Sequence, residues 1–379
     1  MLKSKLPDLG TTIFTIMSQL ANEHKAINLA QGFPDFPCSP RLTELVSQYM
    51  NRGWNQYAPM TGVQVLRERI AEKTEVMYGF TPDVTSEITV TCGATEACYV
   101  AITSIVRPGD EVIIFEPAFD CYLPAIQLSG GKVVPVELDA PEYRIPWDKV
   151  KEKLSPATRL IIVNSPHNPT GSALTKEDIA ELKNVVKGTD IVILSDEVYE
   201  HIIFDDREHE SVLNDSELRE RAFVISSFGK TFHTTGWRIG YCIAPRYLSA
   251  EFRKVHQYIT FSAPTPMQFA IADFLADKEH YMELPEFYQK KRDLFLTFMK
   301  ESRFEALPSA GTYFQLLSYR KFSEEKDTDL AKWLTKEAGV ACIPISVFYT
   351  SGKDDKLLRF CFAKEDITLE KAAEKLCRI

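Results

Sequence analysis

The 379 residues contain no Cys-x-x-Cys pair, no G-x-G-x-x-G loop, no surplus of positive charge and no long hydrophobic run. Each absence removes a class of function. The eight cysteines, at 38, 92, 98, 121, 242, 342, 361 and 377, sit mostly inside apolar segments. That placement predicts buried, reduced thiols and a reducing compartment. The seven histidines (24, 167, 201, 209, 233, 256 and 280) have no metal-ligand spacing, so no metal is expected. Lys+Arg number 44 against 53 Asp+Glu, a net charge of -9, which argues against nucleic acid or an anionic membrane as a general partner. Gly229-Lys230-Thr231 shares the ending of a P-loop, but Val224 stands where the first glycine belongs. The longest apolar runs, such as 112–115 and 191–194, are too short to cross a bilayer, and the first eight residues lack the apolar stretch of a signal peptide. A cytoplasmic protein is expected.

What is present is a chain long enough for two domains. From residue 88 short β-branched runs alternate with helical segments, the pattern of a parallel sheet covered on both faces. Strands are predicted at 88–91, 111–115, 132–137, 159–163, 190–194, 222–226 and 238–243, with helices at 94–105 and 175–187 among them. Earlier, 11–23, 40–52 and 62–78 have helical periodicity, separated by Gly/Pro-punctuated loops. Beyond about 266 the chain reads as helical to 300. A strand at 311–316, a helix at 327–338, a strand at 357–362 and a last helix from 368 then suggest a smaller α+β domain. The expected division is an N-terminal arm and active-site loop (1–37) packing with the small domain, a large domain (38–265) and a small domain (266–379).

One stretch organises the rest: Ser226-Ser227-Phe228-Gly229-Lys230-Thr231, followed by Gly236-Trp237-Arg238-Ile239-Gly240. It delivers a lysine at a strand end among small residues that admit a bulky ligand. Most single lysines are solvated, but Lys230 has company at neighbouring strand ends, where open α/β sheets carry function. Cys92-Gly93-Ala94-Thr95 turns into a helix and can aim backbone N–H groups at a phosphate. A rigid turn, Asn164 to Gly171 with two prolines, presents Asn168. Ser195-Asp196-Glu197-Val198-Tyr199 supplies a carboxylate and a phenol. Arg359 lies in the otherwise apolar run Leu357-Leu358-Arg359-Phe360-Cys361-Phe362, and such a charge must find a partner.

In this order and spacing the motifs resemble those of class I, fold-type I pyridoxal-phosphate aminotransferases, from Gln31-Gly32 to Arg359. The resemblance implies an α/β fold in which a large domain holds a seven-stranded, mostly parallel sheet between helices, joined to a smaller α+β domain. It implies that Lys230 holds pyridoxal 5′-phosphate as a Schiff base and carries the proton between substrate and cofactor. Asp196 would pair with the pyridine nitrogen, while Asn168 and Tyr199 bond the phenolic oxygen and Phe119 stacks on the ring. Ala94, Thr95, Ser227 and Arg238 would hold the phosphate. Tyr57 would reach the phosphate of a neighbouring subunit, which implies a homodimer with shared sites. Arg359, Asn168 and Gly32 would grip the substrate carboxylate.

Within the family the stretches Asn28 to Phe36, Glu116 to Tyr122, Gly229 to Trp237 and Ile343 to Tyr349 are similar to the methionine and kynurenine–glutamine aminotransferase branch, and 55–62 and 85–99 to bacterial methionine aminotransferases. Phe14, Phe33 and Phe348, with Tyr57, are the expected side-chain pocket, and an apolar pocket discriminates by only about 1–3 kcal/mol per methylene. The expected reaction is transamination of methionine, with aromatic amino acids, glutamine or kynurenine as further donors, to a 2-oxo acid in two half-reactions. The rival readings are a cysteine-S-conjugate β-lyase on the same scaffold and a non-catalytic pyridoxal-phosphate sensor. The sensor is disfavoured because such proteins append a DNA-binding module and only about thirty residues precede Gln31.

Overall fold

The computed structural model describes residues 3–379. Its strands in chain order are Ile27–Asn28 (β1), Ile88–Thr91 (β2), Glu111–Glu116 (β3), Lys132–Glu137 (β4), Thr158–Asn164 (β5), Val192–Asp196 (β6), Ala222–Ser227 (β7), Gly240–Ile243 (β8), Glu305–Ala306 (β9), Phe314–Ser318 (β10), Val340–Ala341 (β11), Ile343–Pro344 (β12) and Leu357–Cys361 (β13).

Seven of them form one sheet in the order β2-β8-β7-β6-β5-β3-β4, in which only β8 runs antiparallel to its neighbours. The central strands are apolar on consecutive residues because both faces are covered. Alternate side chains divide between two cores. Val112, Ile114, Leu160, Ile162 and Leu194 pack with Val100 and Ala101 of the helix Ala94–Ile105. Ile113, Ile161, Val163 and Ile193 pack on the opposite side with Leu182 and Val185 of the helix Lys176–Val186. That second helix starts where a reciprocal cap forms: Thr175 Oγ1 accepts from the Asp178 amide and Asp178 returns the bond to the Thr175 amide.

A second, antiparallel sheet has the order β12-β13-β10-β9, and Arg359 on β13 lies opposite Leu316 of β10 and Ile343 of β12. The N-terminal segment is stitched to this part of the molecule. β1 pairs in parallel with β11, and the Cys361 amide donates to the Leu29 carbonyl at 2.8 Å.

Departures from the sequence expectation have local causes. The strand expected from 238 starts at Gly240, since Thr235–Trp237 form a 3-10 turn and Arg238 adopts a left-handed backbone with φ of 57°. Thr312, at φ 67°, likewise delays β10 to Phe314. The helix expected over 327–338 is α-helical only through Asp327–Trp333 and ends in one π turn, Leu334–Ala338, before Gly339 at φ 72°. The two-residue strands β1, β9, β11 and β12 had no periodic signal to betray them. Among the described residues no helix is long and apolar enough to cross a membrane.

Candidate active site

Register places the chemistry side by side. Asn164 at the end of β5 is the ladder partner of Asp196 at the end of β6, which in turn faces Ile225 of β7, two residues before Ser227. β2 ends across β8 from them, Thr91 and Ser227 both pairing with Gly240, and Gly93 at φ 84° turns the chain into the helix that begins at Ala94. Two glycines make room for a close approach here. A Cβ on Gly93 would stand 2.5 Å from the Arg238 guanidinium, and one on Gly240 would stand 2.8 Å from the Ala94 amide nitrogen. Arg238 and the helix N-terminus therefore converge on one point, an arrangement suited to a phosphate.

The resulting inner cleft, about 90 Å³, is lined by Ala94, Thr95, Phe119, Asn168, Asp196, Tyr199, Ser227, Lys230 and Arg238, with Cys98, Asn164 and Val198. It shares Phe119, Asn168, Tyr199, Lys230 and Arg238 with an outer cleft of about 360 Å³ that adds Phe14, Gly32, Phe33 and Arg359. Phe348 stands behind Phe14, with ring centroids 5.9 Å apart. Tyr57 does not join: it is 84% exposed and touches Phe261 edge-on. Among the described residues no cluster of His, Cys, Asp and Glu is arranged to hold a metal.

Asp196 is buried and has no cation within ion-pair reach among the described residues. Its Oδ2 accepts from the Tyr122 hydroxyl at 2.6 Å and from the Cys98 thiol at 3.8 Å, and Oδ1 from the Val198 amide at 3.4 Å. Burial raises its pKa, and the Tyr122 hydrogen bond opposes that rise. A protonated ring nitrogen is the kind of cation this carboxylate lacks. At the other end Arg238 is exposed, and among the described residues its side chain donates only to the Thr235 carbonyl, at 3.2 Å. A flat ligand with an anion at one end and a ring cation at the other fits the cleft, and pyridoxal phosphate is such a ligand.

The Lys230 amine donates to the Tyr313 hydroxyl at 3.0 Å and the Gly32 carbonyl at 3.4 Å. Burial, the largest influence, lowers its pKa to about 8; Cys361 pulls it up, the Arg359 and Arg238 charges push it down, and Asp196 pulls it up again, more weakly. Arg359 is 1% exposed. It donates to Asn168 Oδ1 at 2.6 Å and to the Ala30 carbonyl at 3.0 Å, and lies 3.8 Å over the Phe314 ring. Among the described residues its Nε has no partner and no carboxylate bonds it, and burial lowers its pKa to about 10. An internal salt bridge, the ordinary partner for a charge in an apolar strand, is therefore absent among the described residues.

Sequence reasoning did not single out Tyr122, Asn164 or Tyr313. Asn164 Oδ1 accepts from the Asn168 amide at 2.8 Å while its Nδ2 donates to the Asp196 carbonyl at 2.8 Å, so it braces both loops. Its place as the last residue of a strand was the available clue. Tyr122 and Tyr313 resemble core aromatics until the fold brings their hydroxyls to Asp196 and Lys230.

Comparison with known proteins agrees with this geometry. The family model for aminotransferase class I and II matches residues 24–376. The chain is 55% identical to the methionine aminotransferase of Escherichia coli over 99% of its length and 97% of the relative's. A solved E. coli structure, described as identifying a methionine aminotransferase function, superposes with a TM-score of 0.97 at 54% identity over 100% of both chains. The N-succinyldiaminopimelate aminotransferase structure from Mycobacterium tuberculosis gives 0.96 at 34% identity, again over 100% of both. The kynurenine–oxoglutarate transaminase of Dictyostelium discoideum is 34% identical over 98% of this chain and 94% of its own. A lysine, a carboxylate and two arginines converge on one cleft in a chain similar to these enzymes from end to end, and the protein belongs to the class I and II aminotransferases.

Proposed function

We propose that this aminotransferase takes methionine as its amino donor, holds pyridoxal 5′-phosphate in the inner cleft and passes the amino group to a 2-oxo acid. The observation that carries the reading is the pairing, across one cleft, of a lysine of lowered basicity with a buried guanidinium that no carboxylate among the described residues satisfies. Ala94, Thr95, Ser227 and Arg238 hold the phosphate end. Asp196 holds the ring-nitrogen end, Asn168 and Tyr199 face the phenolic oxygen, Phe119 covers the ring, and Lys230 is the covalent anchor. When bound, the cofactor supplies an electron sink for the pair left at the substrate Cα. Arg359, with Asn168 and the Gly32 backbone, receives the α-carboxylate and turns the Cα–H toward Lys230. The Lys230 amine then takes that proton, which it can do near neutrality because its pKa is about 8.

Phe14 and Phe33, with Phe348 behind, surround the place left for the side chain. The cations lining the outer cleft, Lys230, Arg238 and Arg359, all have roles elsewhere in the cleft, so none is left for a second carboxylate. A thioether or aromatic side chain suits this mouth better than aspartate does. Glutamine and kynurenine are further donors.

The exposed aromatics Trp54, Tyr57, Tyr258 and Phe261 support a homodimer in which Tyr57 reaches the partner's phosphate. The pairing of β1 with β11 supports a unit of residues 1–37 and 266–379 set against 38–265. Eight free cysteines favour a cytoplasmic site. The test is to titrate the purified protein with methionine, phenylalanine, kynurenine, glutamine and aspartate while following its visible absorbance, then to measure kcat/KM for each. Bleaching by methionine at the lowest concentration and a kcat/KM above that of aspartate are expected. A preference for aspartate refutes the reading.

A further inference from the structure

Tyr313 is fully buried beside Lys230, packed edge-on against Tyr199 with ring centroids 5.1 Å apart. Its hydroxyl has one proton, and the Gly32 carbonyl takes it at 2.7 Å. A lone pair is therefore left facing Lys230, whose amine donates to it at 3.0 Å. A neutral amine has two N–H bonds and one lone pair. Here both N–H bonds have acceptors, Tyr313 Oη at 3.0 Å and the Gly32 carbonyl at 3.4 Å. The two acceptors are themselves bonded to each other, so they act as a single clamp. What the clamp leaves free is the nitrogen lone pair, and Lys230 lines both clefts together with Phe119, Asn168 and Tyr199.

We infer that Tyr313 is a positioning residue which holds the freed Lys230 amine with its lone pair directed at the substrate Cα–H. The inference rests on the role given to Lys230 above. It adds a coupling: the loop that carries Gly32, on the carboxylate side of the site, shares one hydroxyl with the base. Proton transfer by a positioned group depends on geometry first, and loss of the clamp lets the amine rotate among unproductive orientations. Besides Tyr313, the charged and titratable groups facing Lys230 are Asp196, Tyr199, Arg238, Arg359 and the Cys361 thiol, none of which takes over the clamp.

The test is Tyr313→Phe, which keeps the ring contacts and removes only the hydroxyl. Three measurements separate positioning from support of the fold: steady-state kinetics with methionine, the isotope effect with Cα-deuterated methionine, and pH-dependent acylation of Lys230 in the cofactor-free chain, read on its peptide by mass spectrometry. The expected result is a kcat lower by about 10- to 100-fold with KM changed less than about threefold. The isotope effect rises as proton transfer becomes limiting. The acylation midpoint moves to lower pH, since a hydroxyl acceptor favours the ammonium form. A kcat within twofold of the parent overturns the inference, as does a lower kcat with isotope effect and midpoint unchanged. Lys230→Ala is the control: if it retains turnover, the role of Lys230 falls, whereas an inactive Lys230→Ala beside a parent-like Tyr313→Phe sinks the inference alone.

Discussion

The floor of the cleft and its mouth are built by different means. The floor residues, Ala94, Asn164, Asp196 and Ser227, stand at or just beyond the carboxyl ends of neighbouring strands, and the ladder that pairs Asn164 with Asp196 fixes their spacing. Asp196 arrives with its donors in place. The mouth is assembled from residues 14, 32, 33 and 359, brought together from the N-terminal segment and the second sheet, and its arginine keeps an unbonded, buried Nε. A buried donor without a partner costs about 1–3 kcal/mol, more when charged. The floor groups are thus held in place as the chain folds, while the mouth keeps a buried donor that a ligand must satisfy. Preorganisation serves a resident group, and unspent capacity serves one that comes and goes.

The sharpest way to break this contrast is at Arg359. In Arg359→Lys a point charge replaces the planar fork, and one ammonium cannot keep Asn168 and Ala30 while also gripping a carboxylate through two parallel bonds. The expected loss is about 2–4 kcal/mol of transition-state binding, a drop of about 30- to 1,000-fold in kcat/KM for methionine. Cofactor affinity, measured by fluorescence titration, should change less than about threefold, because the floor does not contain this residue. Equal losses in both quantities would show that floor and mouth are one unit.

That division also explains what could be read from the chain. The seven strands were visible because Val112 to Phe115 and Leu160 to Val163 are apolar without interruption, and the motifs after them lie next to those runs in sequence. Lys230, Asp196, Asn168 and Arg238 thus came with their strand ends. At the mouth only Arg359 announced itself by its own chemistry, by sitting charged in an apolar strand, while Phe14, Gly32, Phe33 and Phe348 came from the family resemblance. Tyr122 and Tyr313 were hidden for a different reason: a tyrosine's ring satisfies a core pattern whatever its hydroxyl does. Where Oη goes depends on long-range packing. Tyr313 meets Gly32 across 281 positions of sequence, beyond any periodicity.

Tyr122 tests the floor. Its hydroxyl bond is the strongest influence opposing the burial-driven rise in the Asp196 pKa, so Tyr122→Phe should raise that pKa further and weaken the carboxylate as a partner for a ring cation. A charge-assisted hydrogen bond is worth about 1.5–3 kcal/mol. Cofactor affinity should fall by roughly tenfold or more, while the KM for methionine stays within about twofold. The reverse pattern would assign Tyr122 to the mouth.

Lys230 sits between the two regions and feels one charge from each with opposite sign. Arg359 lowers its pKa and Asp196 raises it, with burial the largest influence. In the cofactor-free chain its acylation should be half-maximal near pH 8, since the neutral amine appears as pH rises through that value. Arg359→Gln removes a repelling cation and should move the midpoint up. Asp196→Asn removes an attracting anion and should move it down. Shifts in the same direction would mean that changed burial, not charge, dominates both variants.

The smallest effect belongs to the mouth's apolar wall. Phe14 packs against Phe348 and Phe119 and lies 5.1 Å from the Arg359 guanidinium, so it shapes the space beside the carboxylate without bonding the substrate. Phe14→Leu exchanges a flat ring for a branched alkyl group of smaller volume. A flexible thioether can follow the new contour, whereas an aromatic substrate loses a ring to stack against, a contact worth about 0.5–1.5 kcal/mol. The ratio of kcat/KM for methionine over phenylalanine should therefore rise by about three- to tenfold, with kcat for methionine nearly unchanged. An unchanged ratio would place the substrate side chain away from Phe14 and leave Phe33 as the specificity wall.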